Sequence, residues 1–237
     1  LRTICIGDIH GCIAEFQKLV EVLAPTSEDR IVLLGDLIDK GPKSAEVVRF
    51  AREIGATTIQ GNHEEKALRW FAHEKTRIAT GKANPMSPPE HKVREWNTIP
   101  ADDREWLAAA PVYTDLGSGF LAVHGGMLPG VKPQDHKKGI PLRLRFVNDK
   151  GKFLPLDDDH GDPEGGIPWY QVYDGEHSLV VGHTVHSLEY PRMDRIGDRV
   201  IWHLDTGCVH GGRLTALILE TQEVVQVQAS QVYKARD

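Results

Sequence analysis

Thr3-Ile4-Cys5-Ile6-Gly7-Asp8-Ile9-His10-Gly11 and, further on, Ile31-Val32-Leu33-Leu34-Gly35-Asp36-Leu37-Ile38-Asp39-Lys40-Gly41 decide how this chain is read. Each is a short apolar run, rich in β-branched residues, that stops at a glycine and turns polar at once, as a buried strand does where it leaves a sheet. Between them, residues 14–23 carry apolar side chains at helical spacing. The alternation continues with a helix over 44–54, a third strand over 57–60 and a helix over 64–73. Short strands separated by helical stretches of about 10–15 residues indicate crossover connections, hence an α/β sheet with both faces covered.

The later part changes character. Residues 80–89 are rich in helix breakers, 102–110 look helical, and 112–116 with Phe120–Val123 read as a hairpin closed by Gly117-Ser118-Gly119. Strands then follow over 179–181, 200–203, 214–219 and 224–227, with an irregular connector at 157–166. No internal repeat or long linker divides the 237 residues, so a single domain spanning 1–237 is expected.

Composition narrows the function. With 28 Lys+Arg against 34 Asp+Glu the formal charge is −6, which offers no broad basic face for duplex DNA. No stretch approaches the roughly 18 apolar residues of a membrane span, and Asp8 arrives too early for the first residues to act as a secretory signal. Cys5, Cys12 and Cys208 follow no disulfide or zinc-finger spacing and read as packing residues. A soluble, cytoplasmic protein without a membrane partner is expected.

The chemistry lies in five segments built alike. To the two quoted above are added Ile59-Gln60-Gly61-Asn62-His63-Glu64, Ala122-Val123-His124-Gly125-Gly126 and Val180-Val181-Gly182-His183-Thr184. Ligands of α/β sheets gather at the carboxyl ends of strands, so Asp8, His10, Asp36, Asn62, His124 and His183 should meet on one rim. Any one of these words alone would be turn chemistry. Their joint occurrence, each behind an apolar run, points to a site.

Two carboxylates, an amide oxygen and three imidazoles crowded in a partly dry cleft are costly unless cations neutralise them. A mixed oxygen and imidazole set suits first-row divalent metals better than calcium. Six ligands are too many for one catalytic ion with open positions. Two ions about 3.5–4 Å apart would use them all and need a bridging carboxylate, for which Asp36 is the candidate.

These same words resemble the signature of the calcineurin-like metallophosphoesterases, and within them the branch of the phosphoprotein phosphatases and bacterial diadenosine tetraphosphate hydrolases. The tail 205–217 (Asp205-Thr206-Gly207-Cys208-Val209-His210-Gly211-Gly212-Arg213-Leu214-Thr215-Ala216-Leu217) also resembles the phosphatase module of bacterial polynucleotide kinase-phosphatases. The resemblance runs from about residue 3 to about 230 and implies an α/β fold of two facing sheets flanked by helices. It implies hydrolysis of a phosphoester or phosphoanhydride by a hydroxide bridging two divalent ions, foremost Mn, with Fe, Zn, Ni or Co as other choices. By the same resemblance Asp8, His10 and His183 hold one ion, Asp36 bridges, and Asn62 and His124 complete the second. His63 is then the general acid for the leaving oxygen and Asp39 its orienting carboxylate, with Asn62 also facing the substrate phosphate.

One residue departs from the pattern: Lys40 stands where family members commonly have Arg, trading a bidentate fork for a point charge while remaining a phosphate contact. Lys137, Lys138, Arg143 and Arg145 follow the His124-Gly125-Gly126 word, and a role for Arg143 and Arg145 in gripping substrate phosphate is expected from charge and position alone. Trp169-Tyr170 reads either as a stacking platform for a base or as core. Asp157-Asp158-Asp159 fails the EF-hand pattern, with Asp162 where glycine and Pro168 where glutamate would be needed. His203 and His210 are candidates for support behind the ligands. The substrate expected is a nucleotide such as diadenosine tetraphosphate, with a Ser/Thr phosphoprotein or an RNA end (a 2',3'-cyclic or 3'-phosphate) as alternatives that would use the same centre. A catalytically inert metal-binding module would lack a ligand or the acid, and none is missing.

Overall fold

In a computed structural model, which describes residues 1–156 and 162–236, strand β1 (Thr3–Ile6) sends alternate side chains into two different cores. Cys5 faces one way, Ile4 and Ile6 the other, and all three are fully buried. The chain continues through α1 (Ile13–Leu23), β2 (Arg30–Leu33), α2 (Ser44–Glu53), β3 (Thr57–Thr58), α3 (Asn62–Thr80), α4 (Glu90–Asn97) and α5 (Ala101–Ala108). β4 (Tyr113–Gly117) and β5 (Phe120–Val123) make the hairpin. β6 (Phe146–Val147), β7 (Phe153–Leu154) and β8 (Ile167–Pro168) form a small sheet, and β9 (Ser178–Val181), β10 (Arg192–Ile196), β11 (Arg199–His203), β12 (Arg213–Ile218) and β13 (Glu223–Gln228) follow.

Two five-stranded sheets result, ordered β13-β12-β1-β2-β3 and β10-β11-β9-β5-β4. β1, β2 and β3 are parallel, as are β5, β9 and β11, with antiparallel strands only toward the edges. Cys5, Val32, Leu34 and Leu217 of the first sheet meet Leu116, Ala122, Val180 and Leu204 of the second, so the sheets face each other. The outer face of the first sheet is covered by all five helices, through Phe16, Leu19, Val47, Val48, Ala67, Trp70, Trp96 and Leu107. Each such side chain, taken fully out of water, stabilises the fold by about 1.5–3 kcal/mol. The outer face of the second sheet is covered by loops and the small sheet, through Met127, Leu144, Val147, Trp169, Tyr170 and Tyr173.

β1, β2 and β5 are buried on both faces, as strands between two covered layers must be, and they lie within one residue of their expected places. Elsewhere the structure differs. The third strand is shorter than expected, because pairing with β2 ends at Leu33 and Thr58. Helix α3 begins at Asn62 and runs to Thr80, where Gly81 in the left-handed region (φ 74°) closes it by donating its N–H to the Arg77 carbonyl. Helix α4 and strand β10 had no expectation. The polar α4 is held by one fully buried side chain, Trp96, and β10 alternates half-buried and exposed residues along an edge. Asp157-Asp158-Asp159 lies outside the described residues. Trp169 and Tyr170 are 2% and 9% exposed and pack into the core of the second sheet, at the lining of the cavity described below.

Candidate metal centre

The parallel strands of both sheets end at the same rim, and each end carries a residue singled out above: Asp8 and His10 after β1, Asp36 after β2, Asn62 after β3, His124 after β5 and His183 after β9. Tight turns are needed to point these side chains inward. His10, Asp36, Asp39, Lys40 and His183 all have positive φ, between 47° and 68°, which non-glycine residues rarely adopt. Strain of about 1–3 kcal/mol each, concentrated on one cluster, marks a site whose surroundings over-determine it.

The structure brings the six together. Asp36 Oδ2 lies 3.5 Å from His10 Nε2 and 3.3 Å from His124 Nε2, His124 Nε2 is 3.1 Å from Asn62 Oδ1, and His10 Nε2 is 3.9 Å from Asp8 Oδ2. The other ring nitrogens are spoken for. His10 Nδ1 donates to the Ile38 carbonyl (2.9 Å) and His124 Nδ1 to that of Leu34 (2.7 Å), which fixes both rings with Nε2 facing inward. Asp8 accepts the His183 backbone N–H on both oxygens, at 3.1 Å each.

Asp36 is common to two groups of metal-ligating side chains whose donor atoms lie within 4.8 Å of one another, one with His10 and His63, the other with His124 and His183. The His124 and His183 rings stand 5.0 Å apart. Geometry therefore groups His183 with His124, whereas the resemblance had put it with Asp8 and His10. The difference is one of tertiary placement: β5 and β9 are adjacent parallel strands, so their terminal histidines emerge side by side.

Electrostatics describe a place prepared for cations. Burial opposes the Asp36 carboxylate, yet the imidazoles of His124 and His63 outweigh it and hold its pKa well below the usual range. Burial, together with the charges of Asp205 and Asp36, pushes Asp8 up. His10 and His183 are driven well below the ordinary imidazole value by burial and by the neighbouring Lys40 and Arg145, which leaves them neutral, the form that binds metal. Burial works against a charge on His124 too, but Asp36 and Asp8 raise it to about 10. The Lys40 ammonium lies 2.8 Å from His10 Nε2. The donor types, with two imidazoles turned Nε2-inward around the Asp36 carboxylate, fit divalent cations. The glycines agree: a Cβ at Gly182 would strike the Asp8 carboxylate, and one at Gly61 that of Asp36.

His63, the first-turn residue after Asn62 in α3, sits beside this cluster with its Nε2 3.9 Å from Asp36 Oδ2. Its Nδ1 bonds Asp39 Oδ2 at 2.7 Å. Asp39 is fully buried and also receives Trp96 Nε1 (2.6 Å) and Lys92 Nζ (3.3 Å), both from α4. Burial would raise its pKa, but the bonded His63 outweighs it and lowers the value to about 2. Asp39 is thus ionised at any working pH.

Three supporting residues were not foreseen. Lys92 and Trp96 come from a helix that the sequence did not announce. Glu64, 1% exposed, accepts the backbone N–H groups of Asp36 (2.9 Å), Leu37 (2.8 Å), Ile38 (3.2 Å) and Gly61 (3.1 Å), tying the Asp36 loop to the start of α3. Its position three residues after Gly61 is the capping-box place, a signal legible once the helix is known to start at Asn62. Replacing Glu64 by Gln turns an amide donor toward these donors. The loss expected is about 3 kcal/mol, given about 1.5–3 kcal/mol for a hydrogen bond to a charged group. Urea denaturation checks this, and an unchanged midpoint would refute it.

Of the other candidates, Arg145 donates to His183 Nε2 (3.2 Å) and to the His183 carbonyl (3.3 Å) and lines the adjoining cavity together with Lys40. Arg143 is braced within the fold, on Glu65 and 3.5 Å from the Asn62 carbonyl. Lys137 and Lys138 are exposed. His203 pairs with Asp194 (3.1 Å), and His210 Nδ1 bonds the Lys234 carbonyl (2.8 Å).

Comparison with known proteins agrees with this geometry. The model of the calcineurin-like phosphoesterases matches residues 1–196. The asymmetrical bis(5'-nucleosyl)-tetraphosphatase PrpE of Bacillus velezensis is 34% identical, over 97% of this chain and 94% of its own. The symmetrical bis(5'-nucleosyl)-tetraphosphatase of Nitrosococcus oceani is 30% identical, over 92% of this chain and 93% of its own. Among solved structures, a proposed diadenosine tetraphosphatase superposes with a TM-score of 0.74 at 24% identity, covering 96% of this chain and 93% of that one, which speaks for the fold. With two facing sheets, strand-end histidines and carboxylates, and a family match over most of its length, the chain belongs to the calcineurin-like phosphoesterases, hydrolases that use a dinuclear divalent metal centre.

Proposed function

We propose that this chain hydrolyses dinucleoside polyphosphates such as diadenosine tetraphosphate, with two divalent ions, foremost Mn, as cofactors. The observation that carries the reading is the position of Asp36, shared between two ligand groups, with the His63–Asp39 pair alongside. Asp36, His124, His183 and Asn62 would hold one ion, and Asp36, Asp8 and His10 the other. When bound, such a pair activates a water and neutralises phosphoryl oxygens.

The chain's own residues supply the rest. His63 presents Nε2 to the site while Asp39 holds Nδ1, so the imidazolium gives its outward proton to the departing oxygen. Trp96 and Lys92 keep Asp39 from turning away. Lys40 and Arg145, which line the adjoining cavity, take phosphoryl oxygens, and Asn62 joins them through its amide. Relatives named for both symmetrical and asymmetrical cleavage support a dinucleoside tetraphosphate as substrate. Three unpaired cysteines agree with a reducing, cytoplasmic setting, and no helix among the described residues is long and apolar enough to cross a membrane.

The test is product analysis after incubating the Mn-loaded protein with diadenosine tetraphosphate and, in parallel, with a phosphothreonine peptide and an RNA 3'-phosphate. Cleavage of the nucleotide at least about a hundredfold faster in kcat/KM is expected, a difference of about 2.7 kcal/mol in transition-state binding. Two ADP, or ATP with AMP, then identifies the anhydride attacked. Dephosphorylation of the peptide or the RNA alone would overturn the substrate assignment while leaving the centre intact.

A further inference from the structure

A cavity of about 550 Å³ opens beside the ligand cluster. Lys40, Arg145 and His183 belong to its lining, and so do Lys234 and Arg236, from a different part of the chain. Among the described residues its lining carries four cationic side chains and the carboxylates of Asp162 and Asp205, in a chain whose formal charge is −6. A local field of opposite sign to the whole molecule attracts polyanions.

The segment carrying Lys234 and Arg236 is fastened in place. The buried Glu15 carboxylate accepts the Ser230 N–H (2.9 Å), the Ser230 hydroxyl (2.7 Å) and the Tyr233 hydroxyl (3.0 Å). The Val209 carbonyl accepts the N–H groups of both Tyr233 (3.1 Å) and Lys234 (3.0 Å). A buried anion that holds a surface segment with neutral donors is an arrangement that places that segment rather than one that merely solvates it.

We propose that Lys234 and Arg236 are specificity-determining residues that bind phosphates of a polyphosphate chain beyond the one being cleaved. The inference rests on the reading of the centre as a phosphohydrolase and adds what selects its substrate. Two charge-assisted contacts should separate long from short substrates by about ten- to a hundredfold.

The experiment compares the wild type with the Lys234→Ala/Arg236→Ala double variant. Expected are a fall of about tenfold or more in the ratio of kcat/KM for diadenosine tetraphosphate to that for p-nitrophenyl phosphate, carried by KM, and a calorimetric Kd for inorganic tripolyphosphate weakened by a similar factor. The Lys234→Arg/Arg236→Lys variant should restore both. An unchanged ratio and an unchanged tripolyphosphate Kd would overturn the assignment, as would an equal loss on both substrates, which signals a structural role. If the wild type cleaves no dinucleoside polyphosphate but the tripolyphosphate Kd still weakens in the variant, the substrate reading fails and the polyphosphate site stands. Cleavage with an unchanged Kd is the reverse case.

Discussion

Asp36→Asn is expected to lower kcat by at least about a thousandfold, because a metal pair contributes several kcal/mol of transition-state stabilisation and each 1.36 kcal/mol is a factor of ten. The amide keeps the shape but not the charge. Among the described residues Asp36 is the one carboxylate within reach of His10, His63 and His124 together, at 3.5, 3.9 and 3.3 Å, so neutralising it loosens both ligand groups rather than one. Atomic absorption on the purified variant should show reduced metal content. Folding is a separate matter, since Asp36 Oδ1 also accepts the His63 N–H (3.0 Å), an acceptor that an Asn oxygen retains. A variant with wild-type turnover at equal metal content would refute the shared position.

His63→Asn is expected to cost about 10²- to 10⁴-fold in kcat, the range for a positioned general acid. Metal content should stay at the wild-type level, because Nδ1 is committed to Asp39 and Nε2 faces the leaving group in the proposed reaction. The loss should depend on the leaving group. p-Nitrophenolate departs readily without a proton and an alkoxide does not, so p-nitrophenyl phosphate should suffer least and an alkyl phosphate most. Equal losses across leaving groups would show that His63 only shapes the site.

Much of the centre was legible because each candidate sits immediately after a strand, and strands buried on both faces announce themselves by continuous apolar runs. Asp8, His10, Asp36, Asn62, His124 and His183 could be named from that pattern, and with them the convergence on one rim. The supporting layer was far less legible. Trp96 and Lys92 lie on α4, a polar helix with a single fully buried side chain, and a helix held by one anchor leaves little periodicity to read. Glu64 looks like any acidic residue in a first helical turn until its four backbone donors are seen.

By itself the sequence determined the class of the fold, the β-α-β-α-β-α opening and the candidate donors that gather on one rim, since these follow from local periodicity and from what glycine-terminated strands present. Tertiary structure alone decided which donors stand together. His183 joins His124 because β5 and β9 run parallel and adjacent, a fact of strand order that separation along the chain does not encode. It also decided that Arg143 braces α3 while Arg145 faces the cavity, that Trp169 and Tyr170 fill a core, and that Lys234 and Arg236 reach the cavity near the metal ligands. The physical reason is common to all of these: a side chain's type is a property of its residue, but its neighbours are chosen by the packing of two sheets.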